Sequence, residues 1–144
     1  MLISDVLRVK GAQVVTVTPD TTVQGLVAVL AEQRIGAVVV SRDGTSVDGI
    51  VSERDIVRAL ALRGTAVMSE QVTAIYTADV HTVTPRTELE EVERMMTERR
   101  VRHAPVTVDG GLRGIVSIGD VVKGRIDELE TERAALTDYI TGTR

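Results

Sequence analysis

Apolar residues in this chain fall into two series of runs that repeat one another. From Val14 the order is an extended segment, VVTVTPDTTV, then Val23, Leu26, Val27 and Leu30, then the unbroken run Ile35-Gly36-Ala37-Val38-Val39-Val40. The second group has helical spacing, which predicts a helix opened by Thr21 or Thr22 and ending near Arg34. The third is short, continuous and β-branched, as in a strand covered on both faces. Asp43-Gly44 then turns the chain and Gly49-Ile50-Val51 supplies a return strand that leads into a further helix.

The same order returns from Val80. VHTVTPRTEL shares Thr-Val-Thr-Pro with the first segment, Thr87 precedes a helix carrying Leu89, Val92, Met95 and Met96, and a strand spans Val101 to Val108 before the Asp109-Gly110 turn. GIVSIGDVV at Gly114 to Val122 then repeats GIVSERDIV at Gly49 to Val57. Such a fixed offset marks one unit used twice. The expected fold class is α/β (α+β): two tandem β-α-β-β-α repeats plus a long C-terminal helix. Residues 1–65 form the first repeat with its N-terminal segment, and residues 66–124 the second with its connector. Residues 125–144 form an amphipathic helix. Ala66 to Ala78 reads as a short helix and connector without low-complexity sequence, so the halves are expected to pack as one module.

The last helix carries Val122, Ile126, Leu129, Leu136 and Ile140 as an apolar seam that Arg133 interrupts. This pattern predicts packing on its own domain or on a partner subunit rather than a long coiled coil.

Composition narrows the function. The chain lacks cysteine, which removes disulfides, thiolate metal sites and cysteine nucleophiles together. A net charge of −4, two tyrosines and no Phe or Trp argue against nucleic-acid binding, which uses basic surfaces and aromatic platforms. The N-terminus shows no secretory signal or membrane span, so a cytoplasmic protein without membrane contact is expected. Neither a metal-spaced histidine cluster nor a nucleotide-type glycine loop is present, and no local serine–histidine dyad occurs, so no catalytic residue and no metal site is assigned.

The chemistry lies in Gly-Ile-Val-Ser-x-x-Asp. Its serine ends a strand and its aspartate falls in the first turn of the next helix, where a carboxylate can accept two hydrogen bonds from a vicinal diol. The same spacing also makes a capping box, in which serine and aspartate satisfy free backbone amides. Both readings stand at this point.

Taken together, Thr-Val-Thr-Pro, the strand Ile-Gly-Ala-Val-Val-Val or Val-Arg-His-Ala-Pro-Val, and Gly-Ile-Val-Ser-x-x-Asp resemble the cystathionine-β-synthase (CBS) domain, here as a tandem pair over about Val14 to Lys123. The resemblance implies two copies related by a pseudo-twofold, with adenosine nucleotides bound in clefts between the sheets and pairs that dimerise. By this resemblance Ser52, Asp55, Ser117 and Asp120 hold ribose. Ile35, Gly36 and Ala37 of one copy and Ala104 and Pro105 of the other read adenine, and Thr16 and Thr82 are grouped with them. Arg102 and His103 meet phosphate, with Arg54 and Arg58 as weaker candidates. Gly36-Ala37 offers no charge where Arg102-His103 does, so the clefts are expected to differ. The implied function is a non-catalytic sensor of AMP, ADP or ATP, with S-adenosylmethionine or NADH as other candidate ligands, which signals through a homodimer surface to a protein target. The alternative is a ligand-free assembly module.

Overall fold

A computed structural model describes residues 1–142. The elements run α1 (Ile3–Lys10), β1 (Thr16–Val17), α2 (Val23–Gln33), β2 (Ala37–Val40), β3 (Gly49–Ser52), α3 (Glu53–Arg63), two 3₁₀ turns (Thr65–Ser69 and Val72–Ala74), α4 (Leu89–Arg99), β4 (His103–Val108), β5 (Gly111–Ser117) and α5 (Ile118–Thr141). The mixed α/β class and the repeated order agree with the sequence reading. Of the predicted C-terminal helix 125–144, the last two residues lie outside the described residues.

β1, β2 and β3 form one sheet and β4 and β5 another. β2 is paired on both edges and wholly buried, as its continuous apolar run requires. In the second copy the segment matching β1 contributes only a bridge, Val83 to Val106, at the same place as Val17 to Val40. Thr22 caps α2 through its hydroxyl, which accepts from Gly25 N at 3.0 Å. Thr87 does not play this part: its hydroxyl turns back to accept from Thr84 N at 3.0 Å, and Glu88 stands at the start of α4.

Both central strands begin two residues later than predicted. The helices before them end on Arg34 and Arg100 in left-handed conformation (φ 55° and 54°). The next residues, Ile35 and Val101, still donate to the helix carbonyls of Leu30 and Met96. The αL exit thus uses up the first residues of each apolar run.

Two hydrophobic cores result, and their membership crosses the chain order. The first joins Leu26, Val38, Val51 and Ile56 with Val67 and Val72 of the 3₁₀ turns. The second joins Leu89, Val92, Met96, Val106 and Val116 with Ile3 and Val6 of α1. The N-terminal segment, grouped by sequence with residues 1–65, therefore packs into the second half, while the connector, grouped with the second repeat, completes the first. The hydrogen bonds are equivalent: Val23 N donates to Glu70 O and Val72 N to Thr21 O, as Leu89 N donates to Met1 O and Ile3 N to Thr87 O. Tyr76 covers Gly49 as Leu7 covers Gly114. α1 has no counterpart in the predicted elements, because only Ile3 and Val6 of its eight residues are buried and such a short stripe gives little periodic signal.

Of the two expectations for the α5 seam, packing on its own domain does not hold. The buried positions of α5 are Val121 and Gly124, whereas Val122, Ile126, Leu129, Leu136 and Ile140 of the predicted seam are exposed. The seam points away from the helix's own domain. Gly124 is buried at the crossing with α4, where an added Cβ would collide with Leu89.

Since α1 fills the second core, Ile3→Ala is expected to cost about 2–5 kcal/mol by denaturant unfolding. Amide exchange should rise in β4 and β5 more than in β2 and β3; equal loosening of both sheets would contradict the crossed packing.

Candidate functional site

Both copies build the same junction between strand and helix. Ser52 caps α3 and Ser117 caps α5, and in each the aspartate three residues on returns a bond to the serine amide. Asp55 Oδ2 accepts from Ser52 N at 2.8 Å and from Ser52 Oγ at 3.0 Å. Asp120 Oδ2 accepts from Ser117 N at 2.8 Å. The capping box is present twice, and it leaves Asp55 Oδ1 without a protein donor among the described residues. Capping and ligand contact are thus compatible uses of one carboxylate.

A cleft of about 430 Å³ lies between the halves, within the roughly 300–1,000 Å³ typical of small-molecule sites. Ser52, Asp55, Arg54, Arg58, Gly36 and Ala37 line it from the first copy. Arg102, His103 and Ser117 line it from the second. The structure therefore brings the basic strand start of one repeat to the serine–aspartate pair of the other. Gly36 matters sterically: a Cβ there would stand 3.4 Å from Glu53 Oε1 and 3.8 Å from His103 Cε1, so any side chain would grow into the cleft.

Other expected residues lie elsewhere. Ala104 and Pro105 are buried in β4: alternation turns Ala104 to the face opposite His103, and Pro105, on His103's face, lies one step further into the sheet opposite Ile115 of β5. Thr16 pairs with Val39 inside its sheet, Thr82 is exposed outside the cleft, and Ile35 packs against the first core. Asp120 faces away from this cleft, to Lys10, whose Nζ sits 2.6 Å from its Oδ2. In their place the cleft gains Thr77, Asp79, Val80, His81 and Arg100. Thr77 and Asp79 fall in the connector before the repeated VHTVTPRTEL and differ from Gly11 and Gln13 of the first copy, and of the two residues that open the repeat only Val80 is shared (with Val14), so no repeated polar residue marked the segment.

Electrostatics favour an anion. Four arginines (54, 58, 100 and 102) line the cleft against Glu53, Asp55 and Asp79. α3 and α5 both start there, adding the partial positive charge of two helix N-termini. Burial pushes the His103 imidazole below its ordinary value of 6.5, and Lys10 adds to this against the opposing pull of Asp120 and Glu53. His103 is therefore neutral at pH 7 and offers hydrogen bonds rather than the positive charge expected of it; Arg102 supplies that charge. Burial would raise the Asp120 carboxyl, but the Lys10 hydrogen bond, the Ser117 amide and the Lys10 charge outweigh it and hold it below 3.8.

Among the described residues no group of acidic or histidine side chains is arranged to hold a metal, and no helix is long and apolar enough to cross a membrane.

Two α/β halves that face each other across one cleft, each with a serine–aspartate junction, define a CBS-domain pair. The family model for the CBS domain matches residues 3–62 and 72–127, and the chain belongs to that family. It is similar to the CBS domain-containing protein CBSX3, mitochondrial, of Arabidopsis thaliana, at 37% identity covering 97% of this chain and 72% of the relative. The crystal structure of the CBS-domain containing protein ATU1752 from Agrobacterium tumefaciens superposes with a TM-score of 0.84 at 40% identity, covering 87% of this chain and 99% of that one. The CBS domain protein PAE2072 from Pyrobaculum aerophilum, complexed with AMP, does so with a TM-score of 0.74 at 28% identity, covering 83% and 89%.

The depressed His103 value has a defined sign. Above 6.5 neither folded nor unfolded protein protonates this ring, so its contribution to stability is fully present; it is lost as pH falls through the folded value. In the ligand-free protein the His103 ring resonances should titrate below 6.5 by NMR; titration at or above 6.5 would contradict the buried placement.

Proposed function

We propose that the cleft binds an adenine nucleotide and that the protein is a non-catalytic sensor of its occupancy. The observation that carries this reading is the convergence of Asp55 with Arg102 in one cleft of nucleotide size, from opposite repeats. Asp55 Oδ1 takes the ribose diol, Gly36 leaves room for the adenine plane, and Arg54, Arg58, Arg100 and Arg102 with the two helix starts take phosphate. The AMP complex of PAE2072 supports the ligand class. Occupancy changes behaviour only if a second state binds the nucleotide differently, and the uncovered seam of α5 is the surface on which a homodimer would read that difference.

A second reading, a ligand-free assembly module, draws on the same seam and on the capping boxes, which account for serine and aspartate without a ligand.

Calorimetry separates the two. AMP should bind saturably, and Asp55→Ala should abolish binding at a stability cost of about 0.5–2 kcal/mol. Arg102→Ala should weaken AMP by about ten- to a hundredfold, the worth of one charge-assisted hydrogen bond, while changing adenosine little. Silence from AMP, ADP, ATP, S-adenosylmethionine and NADH, with self-association intact, would favour the assembly reading.

A further inference from the structure

The second serine–aspartate pair meets a cation from its own chain, on Oδ2, the oxygen that also accepts from Ser117 N. Lys10, the last residue of α1, donates from Nζ to Asp120 Oδ2 at 2.6 Å and to Ile115 O at 2.8 Å. The first copy has nothing comparable: among the described residues no cation meets Asp55. The paired contacts of Leu7 on Gly114 and Tyr76 on Gly49 set the register between the two crossing segments. In that register the counterpart of Lys10 is Asp79, an acid that lines the open cleft.

Beside Lys10 a separate space of about 220 Å³ lies between α1 and α5, lined by Asp120 and Lys123, the repeat counterparts of Asp55 and Arg58, and also by Asp5 and Asp127. The second copy's Arg102, His103 and Ser117 line the open cleft instead, so Asp120 is the member of the second site that is turned to Lys10. We infer that Lys10 is a built-in occupant of the second ribose site, so that each chain carries one open nucleotide site and one latched shut by its own N-terminal helix.

Release does not require α1 to leave. Ile3 and Val6 anchor its first turns in the core, whereas Val9 beside Lys10 is 79% exposed, so the ammonium can swing away while the helix stays docked. The ion pair is partly open to solvent, with side-chain exposures of 32% for Lys10 and 22% for Asp120. With two charge-assisted hydrogen bonds at this partial burial the ammonium holds more firmly than an exposed surface pair, which suits a latch that a diol displaces only at high concentration.

The inference rests on the reading that these carboxylates take ribose, and the test keeps the two apart. AMP is titrated calorimetrically into the parent, Lys10→Met, Asp55→Ala and the double variant. The parent should bind one equivalent per chain, Lys10→Met two, Asp55→Ala none, and the double variant one, with the second site strengthened at least about tenfold by loss of the ammonium. A single equivalent in Lys10→Met, or two equal ones in the parent, would overturn the latch and leave the open cleft standing. Absence of binding in both parent and Lys10→Met would overturn the nucleotide reading and the latch with it. Lys10→Gln, which keeps the length but not the charge, carries the same expectation should Lys10→Met fold poorly.

Discussion

One backbone hydrogen bond in each copy ties the start of the central strand to the start of the helix that follows its partner strand. Glu53 N donates to Gly36 O at 2.9 Å and Ile118 N to Arg102 O at 2.8 Å. Each bond satisfies an amide that a helix start leaves free and makes the strand residue and the capping serine immediate neighbours. The cleft inherits its geometry from this. Gly36 stands beside Ser52 and Asp55, Arg102 stands beside Ser117, and the carboxylates are held by their own serines before any ligand arrives. A site assembled in advance spends little ordering entropy on binding.

Duplication makes that junction twice, and the crossed packing makes the two copies unequal. Each core is closed by a segment from outside its own repeat, the connector for the first and α1 for the second. The closing segments share their backbone hydrogen bonds but not their chemistry. One delivers Asp79 to an open cleft; the other delivers Lys10 to a carboxylate. Gly36-Ala37 and Arg102-His103, expected to distinguish two clefts, line one cleft together. Arg102 and His103 share the cleft with the first copy's Ser52 and Asp55, and the second copy's aspartate is paired with Lys10, a residue outside the repeated motifs.

Much of the fold could be read in advance because its signals are local. Periodic apolar positions in α2 and α4, the β-branched run of β2, the Asp-Gly turns and the Ser-x-x-Asp junctions depend on residues within a few positions of one another. The late starts of β2 and β4 could not be read this way, since Ile35 and Val101 are as apolar as the strands they precede and only the αL exits at Arg34 and Arg100 reassign them. α5 left its two alternatives open for a related reason. Its regular apolar spacing describes a face but not which side of the helix meets the protein, and the small Gly124 that allows close approach to Leu89 carries no apolar signal.

The sequence by itself determined that there are two copies of one α/β unit, where β3 and β5 give way to α3 and α5, and which serine and aspartate stand at those two junctions, because a strand-to-helix junction is written in consecutive residues. Only the tertiary structure decided which core receives α1, which repeat lends its arginine to which aspartate, and that Lys10 meets Asp120 from 110 positions away. Those outcomes depend on how two halves dock, and docking is set by the summed shape of buried surfaces rather than by any spacing along the chain.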